Sequence, residues 1–233
     1  MASMSEKVPQ PLEFTPETFR FLRELAKNND RTWFRANEDR YAKYVLAPSL
    51  AFVRAVGPKL GTLSRHLVAD DRPVGGSMMR LYRDVRFSKD KSPYRTSVGI
   101  RFIHEKSSMT DPHFPGFIFH LAPGDSWVYA GMWRPEPSQL DQIRRAIVAR
   151  STEWNKVRRS VPEIEGESLK RPPRGFDPAH PMIDDLKRKG YFSGCEIKDP
   201  VVTGPGFPGR FVALCQTLNP LNRFLAKALG VAY

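Results

Sequence analysis

Between Met79 and Phe87 apolar and polar side chains alternate. Leu81, Val85 and Phe87 fall on one side, and Arg80, Tyr82, Asp84 and Arg86 on the other. A period of two with aromatic and β-branched residues predicts a strand with one buried face. Similar runs follow at 97–104, 116–122 and 126–133, and Pro123-Gly124-Asp125 marks a tight hairpin between the last two. No helical pattern intervenes, so the segment 77–133 is expected to form one antiparallel sheet, with Leu81, Val85 and Phe87 on its buried face.

On both sides of this segment the spacing becomes helical. Thr15-Pro16-Glu17 is a helix start, with Thr15 as cap and Pro16 first in the helix, and Phe19, Leu22 and Leu25 form its stripe. Asp30 can cap a second helix carrying Trp33, Asn37, Tyr41 and Val45 on one face, until Pro48 breaks or kinks it. A third piece carries Leu50, Val53, Val56 and Leu60, with an early stop expected at Gly57-Pro58. After the sheet, Ser138 reads as a cap answered by Asp141, with Leu140, Ile143 and Ile147 inward and Arg144, Arg145 and Arg150 outward. Trp154, Val157 and Val161 mark another helix, 181–189 a short one, 191–198 one more strand, and Phe211 to Leu229 a last helix kinked at Pro220. The expectation is a single α+β domain over 12–233 behind a disordered tail over 1–11, with the sheet flanked by N-terminal and C-terminal helices.

Arg83 falls on the apolar side of the first strand, where an unpaired guanidinium would be costly. It is therefore expected to be buried and held by a carboxylate from a helix on the sheet, with Glu17, Glu24, Glu38 and Asp39 as candidates. Charge changes the picture further. Seven basic and two acidic side chains lie between Arg80 and Arg101, and the whole chain of 233 residues carries +12. Such a balance favours acidic partners. Arg80, Arg83, Arg86, Lys89, Lys91, Tyr94 and Arg95 are the candidate ligand-binding residues, since arginine forks match phosphate and carboxylate. The two cysteines, Cys195 and Cys215, suit a reducing compartment, and no run approaches a membrane span. A soluble, cytoplasmic protein is expected, with no membrane contact.

Arg83-Asp84-Val85-Arg86-Phe87-Ser88-Lys89-Asp90-Lys91-Ser92-Pro93-Tyr94-Arg95-Thr96 closely resembles the signature of domain of unknown function family 2461. So do the segments Asn28-Asn29-Asp30-Arg31-Thr32-Trp33-Phe34, Tyr129-Ala130-Gly131-Met132-Trp133 and Leu169-Lys170-Arg171-Pro172-Pro173-Arg174-Gly175-Phe176. The resemblance spans about residues 12 to 228. It implies a mixed α/β domain and brings no established activity or catalytic residues.

The remaining patterns are weighed one by one. His104, His113 and His120 lie near Asp111, but their spacing matches no ligand motif, so no metal and no cofactor are expected. His120 alternates against Phe117, Phe119 and Leu121, and with Asp84 it is a candidate acid–base pair. Trp127, Tyr129, Gly131 and Trp133 share one strand face; packing beneath the helices accounts for them, and a base-stacking platform is the alternative. Gly131 admits a ligand or another backbone. Phosphate loops, dinucleotide fingerprints and nucleophile elbows are absent from the sequence. Three functional readings follow: a basic pocket for a phosphorylated or carboxylated small molecule, a nucleic-acid-binding protein using the same patch with Arg144, Arg145 and the aromatic hairpin, and an enzyme built on Asp84 and His120.

Overall fold

The computed structural model describes residues 13–108 and 113–233. The tail expected over 1–11, and Asp111, lie outside them. The fold is α+β. Helices α1 (Pro16–Lys27), α2 (Arg31–Ala36), α3 (Glu38–Tyr41) and α4 (Ala47–Leu60) precede the strands β1 (Leu67–Val68), β2 (Val98–His104), β3 (Gly116–Leu121) and β4 (Ser126–Met132). Then come α5 (Pro137–Ala149), α6 (Ser151–Ser160), α7 (Ile183–Leu186), β5 (Tyr191–Ile197), α8 (Asp199–Val202) and α9 (Phe207–Ala228). The five strands form one antiparallel sheet in chain order. Among the described residues, no helix is long and apolar enough to cross a membrane.

Local chemistry explains the helix ends. The Asp30 carboxylate accepts from the Thr32 and Trp33 amides at 2.8 and 2.9 Å, capping α2 as the sequence suggests. Pro48 does not stop the chain. A π-turn over Ala42–Leu46 leads into α4, where Pro48 occupies the first turn. The Tyr44 carbonyl, which would otherwise face the missing Pro48 N–H, accepts from the Thr18 hydroxyl of α1 at 2.7 Å. Pro58 lies inside α4, so the early stop expected at Gly57-Pro58 is not taken. Helix α5 is capped two residues earlier than Ser138, at Glu136: Pro137 takes the first helical position, and the Glu136 amide donates to Gln139 Oε1 at 3.1 Å.

The first expected strand requires correction. Residues 77–87 make no strand. Ser77 to Met79 run along the edge of β2, with Met78 bridging Ile100, and the chain then leaves the sheet until Tyr82 bridges Tyr94. Leu81 is buried, Val85 is half-buried and Phe87 is 94% exposed. Aspartate explains the departure. Asp84 accepts from the Arg86 amide at 3.2 Å, and Asp90 accepts from the Ser92 amide at 2.9 Å. Such side-chain turns compete with a strand ladder. The sheet instead gains β1 and β5.

Helices α1, α4 and α9 bury one face of the sheet around Phe52, Phe102, Phe119 and Phe211. The second half of α9 joins α5, α6 and α7 in an adjoining core around Trp154, Ile147 and Phe224. The opposite face of β2, β3, β4 and β5 carries half-buried Arg101, Ile118, His120, Trp127 and Tyr129, and no helix covers it among the described residues.

Candidate functional site

Two of the segments that carry the family resemblance meet physically. Asn29, between α1 and α2, clamps Tyr94 through both its backbone groups: Nδ2 donates to the Tyr94 carbonyl and Oδ1 accepts from the Tyr94 amide, each at 3.0 Å. Phe34 of α2 stacks on the Tyr94 ring with centroids 4.2 Å apart. Tyr82 closes the cluster at 5.0 Å from Tyr94. Burial, then the hydrogen bond with Tyr82, pushes the Tyr94 hydroxyl up to about 12. Tyr94 is therefore an anchor that ties the loop to the helices.

Inside the loop the cations divide. Arg83 is paired with Asp90 and also reaches the Ser92 carbonyl at 3.2 Å and the Ser88 hydroxyl at 3.4 Å. Its carboxylate thus comes from its own loop rather than from a helix. Glu24 serves Arg40 at 2.7 Å, and Glu17 serves Arg20 at 2.5 Å. Arg83 is also 26% exposed at its side chain, so the deeply buried position expected for it is not found. Arg86 forms a forked pair with Asp84, both exposed, at 2.7 Å for the nearest contact. That pairing, with the Arg86 amide, holds Asp84 down to about 2. Asp90 is held well below the carboxylate range by the Ser92 hydroxyl and amide and then by Arg83. Lys91 donates to the Val85 and Arg86 carbonyls at 3.0 and 3.4 Å. Arg80, Lys89 and Arg95 are exposed and engage no carboxylate among the described residues. A shallow hollow of about 370 Å³ joins Arg83, Asp90, Tyr94 and Arg95 to Asn29.

The histidines separate. His104 is fully buried. Its Nδ1 accepts from the Lys106 amide at 3.1 Å, so Nε2 carries the proton and donates to the Ala232 carbonyl at 2.8 Å, fastening the C-terminal segment. His113 lends its carbonyl to Gln139. No cluster of three metal-ligating side chains occurs among the described residues. His120 lies on the open face of the sheet, and its acidic neighbour is Asp125, 4.0 Å away, while Asp84 is engaged with Arg86. Burial lowers the His120 pKa, opposed by Asp125.

That open face is where the aromatic hairpin residues lie, and this corrects the expectation that they pack beneath helices. His120 stands directly opposite Trp127 on the neighbouring strand. The Asp125 carboxylate accepts from the Trp127 indole N–H at 2.7 Å and fixes its ring. Trp127 and Tyr129 are nearly parallel, at 17° and 5.8 Å between centroids. Tyr129 lies flat because its cross-strand partner is Gly194: a Cβ there would meet the ring at 2.6 Å. Trp133, 63% exposed, stacks on Phe192 at 4.3 Å. Gly131, between the aromatics, admits backbone and not ligand: its φ is +114° and a Cβ would sit 2.1 Å from the Tyr191 carbonyl oxygen. Two hollows of about 290 and 360 Å³ meet at Gly131 and Trp133, the first holding His120, Trp127 and Tyr129 and the second Arg101 and Arg134. Burial, and then the like charge of Arg95, push the Arg101 guanidinium down.

No curated protein and no solved structure matches the chain. A family model does, over residues 17–224, and its span takes in the clamped loop, the sheet and most of α9. The chain belongs to the family described as conserved hypothetical protein (DUF2461).

Proposed function

We propose that the protein binds single-stranded nucleic acid across the open face of its sheet. The observation that carries this reading is the flat shelf of Trp127 and Tyr129, the latter seated on Gly194, bordered by His120, Trp133, Arg101 and Arg134. Rings presented flat on an uncovered sheet suit bases of any sequence, because every base has a π-face, and cations alongside suit the phosphates. The net charge of +12 supplies the long-range attraction. The face is a shallow, open surface rather than an enclosed pocket, which favours a strand over a small molecule.

Fluorescence anisotropy of a labelled thymidine oligonucleotide tests the proposal. Affinity should fall linearly on logarithmic axes as salt rises, since each neutralised phosphate releases counterions. The double variant Trp127→Ala, Tyr129→Ala should lose most of the binding with its fold intact. Undetectable binding at low salt removes the reading.

A second reading has its own support. Arg80, Lys89 and Arg95 remain exposed without a carboxylate beside the Asn29–Tyr94 clamp, and they suit a phosphorylated or carboxylated small molecule. It predicts saturable citrate binding that Arg95→Ala abolishes and Trp127→Ala does not.

A further inference from the structure

Helix α5 turns Arg144 into the molecule, against the outward position that its spacing suggests. The residue is 8% exposed. Its Nη2 donates to the Arg188 carbonyl at 3.0 Å, and the group lies against Tyr191. Its Nε has no hydrogen-bond partner among the described residues. The buried carboxylate of this region is Asp185, 3% exposed, and it is already shared. The Trp154 indole donates to it at 2.9 Å, Arg158 pairs with it at 3.2 Å and Arg188 at 3.4 Å. Two guanidiniums thus divide one buried carboxylate, and Arg144 forms no ion pair among the described residues. A buried cation without a counter-charge is expensive, because desolvation is not repaid by any partner.

Arg144 and Arg188 both line a hollow of about 750 Å³ on the far side of Trp133 from the aromatic shelf. Leu140, Pro137, Trp133 and Phe192 give it apolar walls, and the exposed acids Glu163, Glu165 and Glu167 stand in its lining, the last paired with Lys189 at 3.1 Å. The most buried charge of the lining is Arg144, while Arg134 and Lys189 are exposed like the acids. An oxyanion entering here would meet Arg144, beside Arg188, which shares Asp185, while its apolar part would lie on the stacked Trp133 and Phe192 rings.

We propose that this hollow is a second binding site, in which Arg144 and Arg188 hold the carboxylate or phosphate group of a small molecule. The proposal does not rest on the nucleic-acid reading, since its anchor is Arg144 and not the Trp127 shelf. A carboxylate and a phosphate share the chemistry that a guanidinium fork recognises.

The test is calorimetric titration of the whole chain with inorganic phosphate and, separately, with benzoate, against sodium chloride at equal ionic strength. Saturable binding of either probe is expected in the millimolar range or tighter, and whichever binds more tightly names the group. In the wild-type protein the indole N–H signal of Trp133 should move with the probe while that of Trp33 stays. Arg144→Lys keeps the charge but loses the fork, and should weaken binding about tenfold or more. If that variant does not fold, Leu140→Trp leaves the arginines in place, fills the hollow and should abolish binding. Lys59→Ala, in the last turn of α4, should change nothing. No saturable binding of either probe, a stationary Trp133 signal, or binding lost with Lys59 rather than with Arg144 would overturn the proposal.

Discussion

One face of the sheet is covered and carries phenylalanine: Phe102, Phe117 and Phe119 are fully buried against α4 and α9. The other is open and carries His120, Trp127 and Tyr129, with Trp133 at its end. Both faces are aromatic at a period of two, so periodicity identifies the strands without saying which side is the core. The heteroatoms make the distinction. A buried tryptophan or tyrosine needs a hydrogen-bond partner, whereas phenylalanine needs none. The contrast holds elsewhere in the chain. Trp154 and Tyr191 are fully buried, and both are satisfied by Asp185, through its carboxylate at 2.9 Å and its carbonyl at 2.9 Å. On the open face the Trp127 indole is satisfied by Asp125 at the rim while its ring stays half-exposed.

The comparison breaks most visibly under truncation. Phe119→Ala, beneath α9, should cost about 3–5 kcal/mol in denaturant unfolding, because a large ring leaves a cavity in a packed core. Trp127→Ala, on the open face, should stay within about 1 kcal/mol of wild type. Comparable losses for the two would mean that the open face is a second core. Oligonucleotide affinity should show the reverse order: Trp127→Ala is expected to weaken binding by about 1–3 kcal/mol, the worth of one stacked base, with unfolding midpoints as the control.

Much of this arrangement is legible in the sequence. Strands β2, β3 and β4 follow from alternation and the Pro123-Gly124-Asp125 turn, and α1 and α2 from Thr15-Pro16 and Asp30. The loop at 80–96 misleads for a physical reason: Leu81, Val85 and Phe87 keep period two, but Asp84 and Asp90 capture backbone amides and fold the chain on itself. The apolar-side position of Arg83 points to a carboxylate from a helix, but its partner lies seven residues away in the same loop, in Asp90. The clamp of Asn29 on Tyr94 and the burial of Arg144 join positions far apart in the chain, which no local spacing reports. The composition of the hairpin, tryptophan and tyrosine rather than phenylalanine, was the signal that could have placed it on the open face.

Smaller effects sharpen the picture. Arg83→Met should lower the melting temperature slightly, because its pair with Asp90 and the Ser92 carbonyl closes the loop, while Arg86→Met, whose pair with Asp84 is exposed, should leave it unchanged. Equal shifts in parallel melts would remove the structural role given to Arg83. Smaller still is the response to acid. His120 has its pKa held below 6.5 by burial, so folding favours the neutral ring. Its contribution to stability is complete above the unfolded value near 6.5 and is lost as pH falls through the lower folded value. An NMR titration should place His120 below an exposed histidine, and His120→Gln should flatten that part of the stability–pH curve. A midpoint at or above the exposed value would show Asp125 dominating over burial.

The claim that the open face is the binding face has four internal reporters, the tryptophan indoles. Trp127 and Trp133 lie on or beside that face. Trp33 packs against Phe21 near α1, and Trp154 is buried against Asp185. Proton–nitrogen spectra recorded while a thymidine oligonucleotide is added therefore locate the contact directly. The Trp127 and Trp133 signals should shift together with increasing oligonucleotide, with Trp33 and Trp154 fixed. Movement of Trp33 alone, or four stationary signals at saturating oligonucleotide, would contradict it.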